Sequence, residues 1–188
     1  DTTRAAILAA AQNLFLSQGY HGTSVRQIAS AAGIVPGAVY NHFPSKEAIH
    51  LALLRESDIY ATVARALGEA SGDTPEDLLR DGARRLVAAL HTHDDTVRLL
   101  FGDVLEFDGR NIAALAGEAV PQMLAFFARV IALDGDEHRL RAIRPDVMGR
   151  AFLGLFMSYF MISRFYRSVA NMFPMDTADA GVVDDFLE

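Results

Sequence analysis

Apolar residues return every three to four positions along most of this chain and nowhere alternate one-in-two for the length of a strand. The pattern predicts a first helix from Thr3 to Gln18, with Ile7, Leu8, Ala11, Leu14 and Phe15 on one face and Gly19 as its stop. Two short helices follow between Ser24 and His42. A long one is predicted from Ser45, its cap, to about Glu69, ending before the turn-forming run Ser71 to Pro75. Thr74 and Asp77 cap the next, which reaches Leu90 and stops at the polar break His91 to Asp95. Helices are then expected over Thr96 to Phe107, over Arg110 to Leu133 with a bend at Pro121, over Asp146 to Val169, and over Thr177 to Leu187, with a loop at Asp134 to His138. With no strand pattern and no internal repeat, the fold class is all-α.

The segment Thr23 to Ala48 reads as two helices joined by a tight turn, the layout that places a second helix in the DNA major groove. Ser24 and Gln27 stand three apart, the spacing of a capping box. Ile28, Ala29 and Ala32 share an inward face, and the small Ala29 permits a close crossing. Gly33 supplies the left-handed backbone that ends the first helix, and Ile34 plugs the gap between the two. Pro36 suits a first turn, where a missing N–H costs nothing. Val39 and Phe43 face inward in the second helix, Pro36 to His42. Gly37, Ala38, Tyr40, Asn41 and His42 are left on the outer side.

These residues, with LFLSQGY (Leu14 to Tyr20) before them and VYNHFPSKEAI (Val39 to Ile49) after, resemble the DNA-binding domain of the TetR family of bacterial transcriptional regulators. The resemblance covers about the first 50 residues. It implies an N-terminal three-helix DNA-binding domain with a helix-turn-helix, residues 1–47, and a larger C-terminal helical domain for effector binding and dimerisation, residues 48–188. Val35 and Pro36 depart from the polar or basic pair with which the family often opens its recognition helix. That departure leaves the operator sequence open.

Charge agrees with this division. The chain carries −7 overall, but residues 1–47 hold Arg4, Arg26 and Lys46 against Asp1 and Glu47, a net +1, and the remainder holds −8. Only the first part need meet phosphate. The expected DNA-facing residues are Ser24, Arg26, Val35, Pro36, Gly37, Tyr40, Asn41, His42 and Lys46. Tyr40 and His42 would reach phosphates from the end of the recognition helix, and Gly37 and Asn41 would face base edges. Lys46, the sole lysine of the chain, sits at the helix end whose dipole disfavours a cation, which suits an anion outside. Arg26 would reach DNA or only water.

No cysteine is present, so disulfide and thiol chemistry are excluded. The most apolar run, Ala151 to Ile162, is 12 residues without charge, too short to cross a bilayer. A cytoplasmic protein with no membrane partner is expected, and the start at Asp1 without methionine suggests a further N-terminal arm. His91 and His93 with Asp94 and Asp95 have metal-binding types but a spacing that sends side chains to different faces. A solvated break is expected there, with no metal and no cofactor. Adjacent pairs such as Asp136 and Glu137, or Asp184 and Asp185, point apart and do not suit acid–base catalysis. The chain shows no nucleophile elbow or phosphate loop, and no enzyme is expected.

The second half is rich in aromatic residues: Phe101, Leu105, Phe107, Met123, Phe126, Phe127, Phe152, Phe156, Tyr159 and Phe160 compose its interior. The resemblance implies a pocket there for a small effector, with Phe101, Leu105, Met123, Phe126, Phe127, Phe156 and Tyr159 as candidate walls. An apolar or aromatic ligand would suit them. The helix from Asp146 to Val169 is apolar nearly all round. One stripe is Gly149, Leu153, Phe156, Phe160 and Ser163; the other is Phe152, Leu155, Tyr159, Ile162 and Tyr166. Two apolar faces need two partners, and with the last helix this one is expected to form a homodimer. The reading is a DNA-binding regulator, a repressor released from a pseudo-palindromic operator by a small molecule. The alternatives are an all-helical adaptor for protein partners, or an enzyme working in the aromatic interior.

Overall fold

The computed structural model describes residues 2–117, 119–134 and 143–170. Ten helices and no strand occur among them: α1 (Thr2–Gly22), α2 (Val25–Ala31), α3 (Pro36–Val39), α4 (Lys46–Glu56), α5 (Ile59–Gly68), α6 (Pro75–His91), α7 (Asp94–Phe107), α8 (Arg110–Leu115), α9 (Ala119–Leu133) and α10 (Pro145–Ala170). The fold class is all-α, as the apolar period predicts. The expected loop at Asp134 to His138, apart from Asp134, the last helix from Thr177, the pairs at 136–137 and 184–185, and the side chain of Tyr166 lie outside the described residues.

The chain divides into two compact units, residues 1–62 with 90–118, and residues 63–89 with 119–188. In the first unit α1 packs against α2, α4 and α7. Its core joins Ile7, Leu8, Ala11 and Phe15 of α1 to Ile28 and Ala29 of α2, Val39 and Phe43 around α3, Ile49 and Leu54 of α4, and Leu99 of α7. Every inward position predicted for α1 and the helix pair is there or packed against it.

Two predicted helices are broken. The stretch from Ser45 to Glu69 is α4 and α5, parted at Ser57 and Asp58. The Ser57 hydroxyl donates to the Leu54 carbonyl at 2.7 Å, taking an acceptor the helix would otherwise use. Asp58 adopts φ 40°, and His93 Nε2 lies 3.1 Å from its carboxylate, so a contact 35 residues away holds the break. The stretch from Arg110 to Leu133 is likewise α8 and α9. Pro121 cannot donate an N–H and crowds the carbonyl four residues back, so it falls in the first turn of a new helix instead of bending an old one. The break at His91 to Asp95 narrows to Thr92 and His93.

The first unit also buries a polar cluster. Asp103 is fully buried; it accepts from Asn111 Nδ2 at 2.7 Å and from the Ile112 backbone at 3.2 Å. His50, 2% exposed, sets Nε2 3.3 Å from the same carboxylate, but off the line a hydrogen bond needs, and neither ring nitrogen has a hydrogen-bonding partner. Burial pushes the His50 imidazole below its ordinary pKa, against the upward pull of Asp103. Burial and Asp103 together push the Tyr60 phenol up to about 12.

In the second unit α9 lies against α10, and rings carry the packing: Phe126 to Phe127 at 5.1 Å, Phe127 to Phe152 at 5.3 Å, Phe152 to Phe156 at 4.6 Å between centroids. Gly149 makes room for this, since a Cβ there would meet Met123 Cε at 3.2 Å. Gly82 of α6 does the same for Phe126, whose Cζ would lie 2.5 Å from an added Cβ. The Arg129 guanidinium donates to the carbonyls of Leu67, Gly68 and Ala70, closing the C-terminal end of α5 with a cation, which suits the helix dipole.

Two glycines on helices give opposite expectations. Ala at Gly82 gains about 1 kcal/mol of helix propensity, but overpacking against a fully buried ring costs about 1–3 kcal/mol. Gly82→Ala should lower the melting temperature. Gly102→Ala, whose Cβ meets nothing within 4 Å, should raise it. Calorimetric melts of both variants decide this. A rise for Gly82→Ala would mean that Phe126 has room to move.

His50 also predicts a pH dependence. Its folded pKa lies below the unfolded value of 6.5, so the unfolded chain binds the proton more readily. This contribution is fully present above pH 6.5 and is lost as pH falls from there through the folded pKa. His50→Leu should therefore lose less stability than the parent between neutral and mildly acidic pH in urea titrations. Parallel losses would show that His50 is not the group responsible.

Candidate nucleic-acid interface

The two helices of the candidate interface are held by their own caps. The Gln27 amide donates to Ser24 Oγ at 3.2 Å, and the Ser24 amide donates to Gln27 Oε1 at 2.8 Å, closing the capping box. Gly33 sits at φ 70°, and the Ile34 amide donates back to the Ala29 carbonyl at 3.0 Å, which turns the chain out of α2. α3 starts with Pro36 at its first position and is shorter than expected, ending at Val39. Tyr40 to His42 continue as a turn, with the amides of His42 and Phe43 donating to the Val39 carbonyl at 3.0 and 2.9 Å.

Val39 and Phe43 are buried, and the outer side is open. Val35 is 70% exposed and Tyr40 56%. Ser24, Arg26, Pro36, Gly37 and Asn41 are exposed as well, and His42 is half-buried. Eight of the nine residues singled out from sequence therefore lie on or beside the outer face of α2, α3 and the turn after them, with Ser24 also committed to its cap.

Lys46 has a further role. Its Nζ donates to the carbonyls of Tyr20 and Thr23, both at 2.7 Å, and lies 4.0 Å from the centre of the Tyr20 ring. Its own position opens α4, an unfavourable place for a cation, but its ammonium reaches the C-terminal end of α1, a favourable one. Desolvation lowers the lysine pKa, and burial raises that of the Tyr20 phenol. Two of the three N–H donors are engaged. Around the same turn Thr23 Oγ1 donates to the Gly19 carbonyl at 2.8 Å, and Gln18 Nε2 to the Gly22 carbonyl at 3.0 Å. Tyr20 and the buried Thr23 were missed in sequence; the solitary lysine after a short helix pair was the available signal. At the other end of the head Arg4 pairs with Glu56 and stands over the Phe43 ring at 5.2 Å, tying α1 to α4 again.

Residues 7–53 match the family described as bacterial regulatory proteins, tetR family. Through this segment the chain is similar to the TetR family. The HTH-type transcriptional repressor DhaR of Mycobacterium sp. (strain GP1) is 43% identical over 60 residues, which are 31% of this chain and 30% of that protein. The HTH-type transcriptional regulator RutR of Escherichia coli (strain K12) is 43% identical over 65 residues, 34% of this chain and 31% of its own. The chain thus matches less than a third of the length of these curated relatives. Fold likeness runs further. A TetR family transcription regulator from Shewanella sp. PV-4 superposes with a TM-score of 0.63 at 20% identity, covering 100% of this chain and 96% of that one. AibR, solved in complex with isovaleryl coenzyme A and operator DNA, gives 0.64 at 21% identity over 86% of each chain. At such identities the likeness shows the TetR fold.

The candidate effector walls are divided between the two units. Phe126 and Phe127 are each 1% exposed and Phe156 and Tyr159 nearly as buried; with Met123 they belong to the second unit. Phe101 and Leu105 belong to the first, and Leu105, expected inside, is 82% exposed. Phe107 also belongs to the first, its ring centroid 4.8 Å from that of Tyr20. The expected stripes of α10 redistribute too. Gly149, Phe152, Phe156, Tyr159 and Phe160 turn inward, while Leu153, Leu155, Met157, Met161 and Ile162 are exposed. Each predicted stripe mixed the two because i+3 and i+4 steps can be chained along more than one path on a helix apolar all round. Among the described residues no cluster could hold a metal ion, and no helix is long and apolar enough to cross a membrane.

Removing the Lys46 ammonium strands two carbonyls that accept from a charged donor, a loss of about 1–3 kcal/mol. Lys46→Met should lower the melting temperature of the DNA-free protein. An unchanged melt would show that water replaces the ammonium at no cost.

Proposed function

We propose that the protein is a homodimeric transcriptional regulator that binds a pseudo-palindromic DNA operator and is released by a small apolar or aromatic effector. The observation that carries the reading is the sidedness of the helix pair: Val39 and Phe43 fill the core, and Val35, Gly37, Tyr40 and Asn41 stand outside. In this reading residues 1–47 are the DNA-binding domain and 48–188 the effector and dimer domain. Tyr40 and His42 meet phosphates, and Gly37 and Asn41 face base edges. Lys46 keeps one N–H for a phosphate. The repressor named among the relatives supports repression, and the neighbour solved with both isovaleryl coenzyme A and operator DNA supports a regulator that takes a small molecule as well as DNA. In this chain Met123, Phe126, Phe127, Phe156 and Tyr159 form the effector wall, and since Phe126 already touches Phe127 and Phe152 bridges Phe127 to Phe156, a ligand must part these rings. The exposed apolar residues of α10, Leu153 to Ile162, take the same surface of a second copy together with the last helix. The working compartment is the cytoplasm.

A randomised duplex pool tests the central claim. Selection should enrich two inverted half-sites about one helical turn apart, near 34–36 Å. Tyr40→Phe and His42→Ala should weaken binding to selected and unselected DNA alike, and Asn41→Ala should change the selected sequence. A pool that stays random through selection at low salt would remove the DNA-binding reading and favour the protein-interaction adaptor.

A further inference from the structure

Val35 occupies the turn between α2 and α3 and serves neither the core nor a cap. Its side chain is 70% exposed. It stands at the N-cap of α3, where serine, threonine, asparagine or aspartate is preferred, and makes no side-chain cap hydrogen bond. Only its backbone carbonyl takes part, accepting from the Ala38 amide at 3.0 Å. We propose that Val35 is a specificity-determining residue that recognises the C5-methyl group of a thymine in the major groove, so that the half-site carries an A·T pair at this position. The inference rests on the DNA-binding reading above and names the base that this surface selects.

The chemistry of the groove decides the partner. The major-groove edge of the base pairs offers one apolar group, the thymine methyl; the other groups there that distinguish the bases are donors and acceptors. Valine has no polar side-chain atom, so against a polar edge it displaces water without replacing its hydrogen bonds. Against thymine it buries methyl on methyl. The branch at Cβ holds valine to few rotamers, so little side-chain freedom is lost on contact. Its backbone is extended, φ −75° and ψ 146°, the conformation that the following Pro36 favours.

The neighbouring residues agree. Gly37 is exposed and has no side chain, and a Cβ there would meet nothing within 4 Å, so the start of α3 can approach a groove closely. No arginine or lysine occurs in residues 33–45, so guanine lacks its commonest reader, a cation bonded to O6 and N7. The next in sequence, Lys46, gives its ammonium to the Tyr20 and Thr23 carbonyls. Asn41 is exposed and carries the amide that suits N6 and N7 of adenine. A valine for thymine and an asparagine for adenine together make a surface for A·T pairs.

Deoxyuridine tests this, because it lacks only the methyl and pairs with adenine as thymine does. Duplexes enriched from the randomised pool are remade with deoxyuridine at one thymine at a time, and binding of the full chain is followed by fluorescence anisotropy. One thymine of each half-site should be sensitive: loss of its methyl should weaken the parent about fourfold in one half-site and about fifteenfold in both. Val35→Ser should bind the thymine duplex more weakly and should no longer distinguish it from the deoxyuridine duplex. Serine restores a capping side chain, so its melting temperature should not fall, and the loss of binding is then not a loss of fold. Val35→Ala, which keeps one side-chain carbon, should retain part of the difference. Two results would overturn the proposal: an enriched site in which no thymine methyl matters, or a methyl effect of parental size in Val35→Ser. A pool that stays random would instead remove the DNA-binding reading, and this inference with it.

Discussion

The amine of Lys46 fastens the end of α1 to the start of α4, and the helix pair between them depends on that fastening. A helix end leaves carbonyls without partners, and the α1 end is left turned by Gly19 at φ 79°. Thr23, Gln18 and Lys46 satisfy this end from three directions. The chain returns after 23 residues to close the clamp, so α2 and α3 hang from a loop whose two ends are pinned. At the far side Arg4 and Glu56 pin α1 to α4 a second time. With both ends of α4 tied to α1, α3 is presented by a rigid frame, although at four residues it is too short to be stable alone.

That frame extends beyond the segment that carries the family signature. α7 joins it through Leu99 in the apolar core, through Arg98 on the Leu16 carbonyl, and through Asp103 beneath His50. The polar contact is costly and incompletely satisfied. Asp103 has two donors of good geometry, but His50 has none, and burial holds its imidazole toward the neutral form. A better-packed apolar pair would be more stable.

The second unit is built on a different principle. Its rings are packed edge to face with glycines opposite them, Gly82 under Phe126 and Gly149 beside Phe127 and Met123. Small residues facing large ones let α6 and α10 come close to α9. α10 then has apolar surface to spare, because one helix cannot turn both of its faces to one neighbour.

What the sequence determined by itself is local. The helical class, the capping box of Ser24 and Gln27, the positive φ of Gly33, Pro36 in a first turn and the caps at Ser45 and Thr74 all follow from groups a few residues apart, where chain chemistry outweighs anything distant. The inward set Ile28, Ala29, Val39 and Phe43 follows from period alone. Tertiary structure decided the rest. The break at Asp58 rests on His93, the direction of Lys46 on the carbonyls of Tyr20 and Thr23, and the exposure of Leu105 on which side of α7 the first unit uses. The division of α10 into inner and outer faces rests on α9, because a helix apolar all round has no face of its own until a partner covers one. Each of these turns on groups far apart in sequence, and no periodicity within a single segment records which of them will meet.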